Sequence, residues 1–263
     1  MTKQKSSLSE FKEHYQDAAT AKNYDSHRTK TVKQVVVRKR EQELFRGFTP
    51  PGSRVLEIGA GTGNITLCLA SDCQITATDS SDAMLQIAAE RLGGASVTTV
   101  EQFNNSQTTP NRVTLINMDM FDINKLQTSF DVVLASRVFL HLAPDNLGAM
   151  LEKIVDLLDP NGVLLFDLQR PNLFKKYLDR FEPGKVYNYR YTLNDIRTAI
   201  KGRPEFQLET IIRFEHFFPL LPFAFIKYKL TKVLLPTSLL AVDRSLASVG
   251  LTANRMFVVC RRK

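Results

Sequence analysis

Between residues 54 and 168 short apolar runs alternate with segments whose apolar residues recur every three to four positions. These are the periods of strand and helix. Arg54–Ile58 (RVLEI), Gln74–Thr78 (QITAT), Val113–Asn117 (VTLIN), Phe130–Ala135 (FDVVLA) and Val163–Leu168 (VLLFDL) predict five strands. A helix begins at Asn64–Ala70. Met84, Leu85, Ala88 and Leu92 mark the inner face of a second helix, capped by Ser80 or Ser81 and stopped by Gly93-Gly94. Leu147, Leu151, Ile154 and Leu158 mark a third, from Asp145 to Leu158. Residues 95–112 (ASVTTVEQFNNSQTTPNR) are polar and predict a mobile surface loop. Strands this apolar are buried on both faces, which requires a parallel sheet with helices on each side. The pattern therefore predicts an α/β, doubly wound fold.

The flanks read differently. Thr31–Phe45 predicts a helix with Val32, Val35, Val36 and Leu44 turned inward, and Pro50-Pro51-Gly52 ends it. After the fifth strand, Thr192–Lys201 predicts a helix, and Phe206–Phe214 and Arg255–Val259 predict two strands. Paired as a hairpin, these would add an antiparallel edge to the sheet. Phe217–Leu240 lies between them as an apolar, proline-punctuated insertion carrying Lys227, Lys229 and Lys232.

Composition narrows the class. The chain has 263 residues, 43% hydrophobic and 24% charged, which excludes disorder or low complexity for its bulk. Cys68, Cys73 and Cys260 are too few for a disulfide framework, and no His stands beside the near pair to make a metal site. No run of 18 apolar residues is present, and MTKQKSSLSEFKEHYQ has no apolar signal-peptide core, so the expectation is a cytoplasmic protein with at most peripheral membrane contact. The net charge of +8 is unevenly distributed: residues 51–170 carry −7, whereas residues 1–50 carry +5 and residues 171–263 carry +10.

The candidate chemistry begins at Glu57-Ile58-Gly59-Ala60-Gly61-Thr62-Gly63, between a predicted strand and a predicted helix. Glycines there let a ligand approach the backbone, and the helix start offers free amides. A dinucleotide site has the spacing G-x-G-x-x-G. Here the third glycine comes one residue early, which disfavours a nicotinamide dehydrogenase. VLEIGAGTG, Asp79 ending the second strand, Asp119 in NMDMFD after the third, FDVVLAS and PNGVLLFDL together resemble the ordered motifs of class I S-adenosyl-L-methionine (SAM)-dependent methyltransferases of the small-molecule type. The resemblance covers roughly residues 50–170. It implies a Rossmann-like, mostly parallel seven-stranded sheet with an antiparallel last strand. Residues 1–49 would form an N-terminal helical cap or lid and residues 50–170 the SAM-binding core. Residues 171–263 would complete the domain, with an acceptor-side insertion at about 216–250.

The same resemblance assigns the residues. Gly59, Ala60, Gly61 and Gly63 would lie against the methionyl part of SAM, with Glu57 holding its amino-acid end. Asp79, beside Ser80, would accept both ribose hydroxyls, a task suited to a two-oxygen acceptor. Asp119 would meet the adenine amine, Met120 would pack near the ring, and the backbone at Arg137 would face the methionine end. Each has a plainer alternative: a solvated strand end for Glu57, a helix-start charge for Asp79, a turn for Asp119.

Methyl transfer is an in-line displacement in which alignment does much of the work. A hydroxyl acceptor also needs a base. His141, in SRVFLHLAP just past the fourth strand, is the candidate, with helix packing as its alternative. Tyr24 is a candidate lid residue, and Gln169, Arg170 and His216 are candidate substrate contacts. The expected acceptor is an O or N of a small-molecule, glycan or lipid-like compound, anionic or amphipathic given the basic flanks. A tRNA or other nucleic-acid methyltransferase is the alternative within the class, without a recognisable RNA-binding module. A SAM-binding protein without turnover is the alternative outside it. The oligomeric state is not encoded in any motif.

Overall fold

The computed structural model describes residues 15–106, 112–171, 188–216, 234–245 and 253–263. Its strands are β1 (Arg54–Ile58), β2 (Gln74–Asp79), β3 (Val97–Thr98), β4 (Val113–Asn117), β5 (Phe130–Ala135), β6 (Leu158–Gln169), β7 (Phe206–His216) and β8 (Ala253–Arg262). The helices are α1 (Ala18–His27), α2 (Val32–Gly47), α3 (Asn64–Leu69), α4 (Asp82–Arg91), α5 (Val100–Asn105), α6 (Pro144–Val155), α7 (Leu193–Lys201) and α8 (Leu234–Ser245). Among the described residues the strands form one eight-stranded sheet, in the order β3-β4-β2-β1-β5-β6-β8-β7.

The sheet has eight strands where seven were expected. The additional strand lies in the stretch expected as a loop: Val97 and Thr98 pair in parallel with Leu115 and Ile116. Its polar residues serve the next element, because Thr99 and Gln102 form a reciprocal capping box that starts α5. At the other end β8 lies between β6 and β7 and runs antiparallel to both. β7 therefore forms the edge, parallel to β6.

Side-chain alternation along the strands divides the core between two faces. Leu56, Ile58, Val133, Leu164, Phe166, Met256 and Val258 pack on one face with α6 and α7. Val55, Ile75, Val132, Leu165, Phe257 and Val259 pack on the other, where Leu44 and Phe45 of α2, Ile65 and Leu69 of α3 and Leu85 of α4 cover them. The Thr31 capping box starts α2. Ser81 starts α4 by accepting from the Met84 N–H. The three cysteines are free. No helix of the described residues is long and apolar enough to cross a membrane.

Candidate active site

The glycine loop leaves the carboxyl end of β1 with Gly59, Gly61 and Gly63 all at positive φ, at 71°, 54° and 75°. A Cβ on Gly59 would stand 2.3 Å from Cγ2 of Val138, so this loop and the one after β5 touch. A Cβ on Gly61 would meet nothing within 4 Å, so open space lies against the loop there. The Ala60 N–H donates to the Thr78 carbonyl (2.9 Å), which ties the loop to β2. Asp79, the last residue of β2, accepts from the Gly61 N–H (2.8 Å) on one carboxylate oxygen and from the Ser81 N–H (2.9 Å) on the other. Ser80 stands half-buried between these two acceptor and donor positions. Burial raises the Asp79 carboxyl above its usual value, against the lowering effect of these amides.

Glu57 shares a strand face with Val55 and so points toward α3, where it accepts from the Thr66 hydroxyl (2.6 Å). It is buried. Burial pushes its carboxyl up to about 8; Asp79 adds to the rise and the Thr66 bond opposes it. Asp119 follows β4 and caps a 3-10 turn over Met120–Lys125, accepting from the Phe121 N–H (3.0 Å). Met120 packs half-buried against the core.

Arg137 follows β5 with φ at 62°, a left-handed conformation uncommon for a residue with a side chain. Its N–H is held by the Asp167 carboxylate at 2.6 Å. Asp167 also forms an ion pair with Arg255, and Arg255 with Glu41, all three nearly inaccessible to solvent. The Arg137 guanidinium reaches the same Glu41 at 3.2 Å. Alternation explains the meeting: Asp167 and Arg255 lie on the strand face covered by α2, and Glu41 shares an α2 stripe with Leu44 and Phe45. The Arg137 side chain and its backbone N–H are thus both engaged in this buried network.

His141 ends a 3-10 turn, Phe139–His141, held by the buried Tyr191, whose hydroxyl donates to the Phe139 and Leu142 carbonyls (3.0 and 2.7 Å). Burial, with the charges of Arg137 and Arg28, pushes the imidazole down to about 3. The Tyr15 ring lies 6.5 Å from His141 and 5.9 Å from Tyr24, and the Tyr15 carbonyl accepts from the Ser81 hydroxyl (2.6 Å). Tyr15 and Tyr24 therefore pack over the same edge as Asp79 and His141. Gln169 ends β6 there, and its carbonyl accepts from the Tyr191 N–H. Arg170 leans on the Ala253 carbonyl at 3.3 Å. The His216 backbone pairs with Ala253 at this edge. Its side chain, and the insertion apart from α8, lie outside the described residues. Sequence reasoning missed Glu41, Arg255, Tyr15, Tyr191 and Arg28. Asp167 and Arg255 did carry a signal, as opposite charges inside apolar strands.

A glycine loop after β1 and carboxylates at the ends of neighbouring parallel strands, gathered at one sheet edge, define a Rossmann-like fold. Residues 56–164 match the family model of the methyltransferase domain, which places a methyltransferase domain on this Rossmann-like sheet. It is 27% identical over 164 residues to carboxy-S-adenosyl-L-methionine synthase of Shewanella piezotolerans, a match covering 60% of this chain and 57% of that protein. The chain thus spans little more than half the length of that relative. Among solved structures, the DhpI–SAM–HEP complex is similar with a TM-score of 0.61 at 15% identity, over 99% of this chain and 100% of that one. Magnesium protoporphyrin IX methyltransferase (ChlM) from Synechocystis PCC 6803, with bound SAH, gives 0.53 at 17% identity, over 88% and 83%. At such identities these likenesses show the fold.

Proposed function

We propose that this chain binds SAM at the carboxyl edge of β1, β2 and β4 and moves its methyl group to an O or N of a small-molecule acceptor, releasing S-adenosylhomocysteine (SAH). The carrying observation is Asp79. One backbone N–H from each flanking loop fixes each of its oxygens, and the remaining lone pairs suit the two vicinal ribose hydroxyls. The open space at Gly61 leaves room for the cofactor against the loop. Glu57 takes the ammonium end, Asp119 and Met120 the adenine, and the Arg137 backbone the methionine. Residues 1–49 act as the cap, residues 50–170 as the cofactor core, and the insertion at about 216–250 as the acceptor-side cover.

SAM supplies an electrophilic methyl group on a sulfonium. The chain's own contribution is alignment and exclusion of water by Tyr15 and Tyr24. His141 is neutral at physiological pH, and its imidazole can accept a hydrogen bond from an acceptor amine. An imidazole held so low takes up a proton poorly. The acceptor reading that best suits this site is therefore one already nucleophilic, such as an amine or a carboxylate, with Gln169, Arg170 and His216 toward it. The basic flanks support an anionic or amphipathic compound, a lipid-like or glycan acceptor included.

Titration calorimetry with SAH and with NADH tests the reading. SAH is expected to bind, and Asp79→Ala to weaken it about 100-fold, the loss of charge-assisted hydrogen bonds to two hydroxyls. Binding of NADH without SAH overturns the proposal. SAH binding without methyl transfer to any anionic, amine or hydroxyl acceptor would leave a SAM-binding protein.

A further inference from the structure

Thr62 and Asn64, on either side of Gly63, are gripped from outside the glycine loop. Gly63 caps α3 at φ 75° with no side chain to bond the helix start, and glycine backbone loses more freedom on ordering than any other. Arg91, ending α4, donates to the Thr62 carbonyl (2.6 Å). Arg38 of α2 donates from Nε to the Asn64 side-chain oxygen (2.5 Å), which also accepts from Gln42 (3.0 Å). Asp25 of α1 joins the two arginines: one carboxylate oxygen accepts from Arg38 and the other from Arg91, each at 2.7 Å. The same Arg91 nitrogen serves Asp25 and Thr62, so the carboxylate fixes the direction of the bond to the loop. The Asp25 main-chain carbonyl separately accepts from the Arg28 N–H and the Thr29 hydroxyl, bonds that a side-chain substitution leaves in place. With 31% of Asp25 and 32% of Arg91 exposed, ion pairs of this kind add little to global stability. What they add is position.

We propose that Asp25 is a positioning residue for the cofactor. Through Arg91 and Arg38 it orders the Thr62–Asn64 turn, so that SAM meets a glycine loop already in its binding conformation. This inference rests on the SAM-binding reading of that loop. Order established before binding is a cost the ligand does not meet. Asp25 therefore acts on affinity without touching the ligand, and its whole effect passes through two guanidiniums.

Calorimetry with SAH and amide hydrogen exchange on the unliganded full chain test it. Asp25→Ala is expected to weaken SAH about 5- to 20-fold. It should also speed exchange of the hydrogen-bonded Gly61 and Gly63 amides at least about 5-fold. The amides of α7, packed on the other face of the sheet, should keep their wild-type rates. In a chain carrying Arg38→Met and Arg91→Met, Asp25→Ala has nothing left to act through and should change SAH affinity by less than about 2-fold. A further loss as large as in the wild-type background means that Asp25 acts by another route and overturns the proposal. Unchanged SAH affinity in Asp25→Ala overturns it too, as does unchanged exchange at Gly61 and Gly63. Exchange that rises equally in α7 marks a general loss of stability and has the same consequence. If the doubly substituted chain does not fold, the measurements on Asp25→Ala decide alone. Wild-type protein that binds no SAH defeats the SAM reading instead, and the exchange comparison, which needs no ligand, then decides whether Asp25 orders the turn.

Discussion

Glu57 and Asp79 find their partners close by in the chain: Thr66 is 9 positions from Glu57 and Gly61 is 18 from Asp79. Elsewhere in the fold, Glu41 and Arg255 pair across 214 positions and Asp167 reaches Arg137 across 30. The first set forms a cradle from one strand–loop–helix unit and the end of the neighbouring strand. The second set forms a clamp, drawing the N-terminal helix, β6, β8 and the loop after β5 onto one buried point. Cradle carboxylates bond to backbone amides and a hydroxyl. Clamp carboxylates spend their lone pairs on guanidiniums and, at Asp167, on the Arg137 N–H, which tie α2 and the loop after β5 to β6 and β8.

The comparison breaks most sharply at Arg255. Arg255→Met leaves Glu41 and Asp167 buried without their main cation and is expected to cost about 3–5 kcal/mol in chemical denaturation. Adding Glu41→Gln should recover part of it. Asp79→Ala, in the cradle, should change stability by no more than about 1 kcal/mol, because it removes a carboxylate whose burial is already unfavourable. If both substitutions destabilise equally, cradle and clamp do not differ in kind.

The two loop glycines sharpen the contrast inside the cradle. Gly59→Ala sets a methyl group into Val138 at φ 71°, and about 2–3 kcal/mol of stability should be lost through overpacking and left-handed strain. Gly61→Ala has the strain without the clash, so about 1 kcal/mol is expected. Its methyl group enters the open space, so SAH binding should fall more than stability does. Melting curves with and without SAH read both effects.

The same contrast sets what the sequence discloses. The cradle is legible because strand, glycine loop, helix and strand-ending Asp79 are contiguous, and each residue type answers a local need. β3 and α5 escaped because two paired residues and a capping box look like any polar loop. Glu41 escaped because KREQELF reads as a solvated helix face. Only the fold shows that Glu41 shares its stripe with Leu44 and Phe45 and meets Arg255. Arg28 and Tyr15 are equally silent, since their surroundings come from the loop after β5 and from Ser81.

The finest test of the cradle is its proton. Glu57 moves from 4.5 to about 8 on folding, so between those values the native chain holds a proton that the unfolded chain has lost. Stability from this group is complete below about 4.5 and declines as pH rises through 8. His141, moved from 6.5 to about 3, acts in the opposite sense, weakening the native state as pH falls below 6.5. Above 6.5, therefore, Glu57→Gln should flatten the fall in stability with pH. Thr66 and Asp79 are the groups acting on Glu57, and neither changes the sign. An ammonium placed against Glu57 would favour its charged form, so SAH binding at pH 7 should release a proton. Calorimetry in phosphate and in Tris, buffers of different ionisation enthalpy, counts that proton. The wild type should release more than Glu57→Gln, and identical counts would show that Glu57 stays protonated and does not face the ammonium.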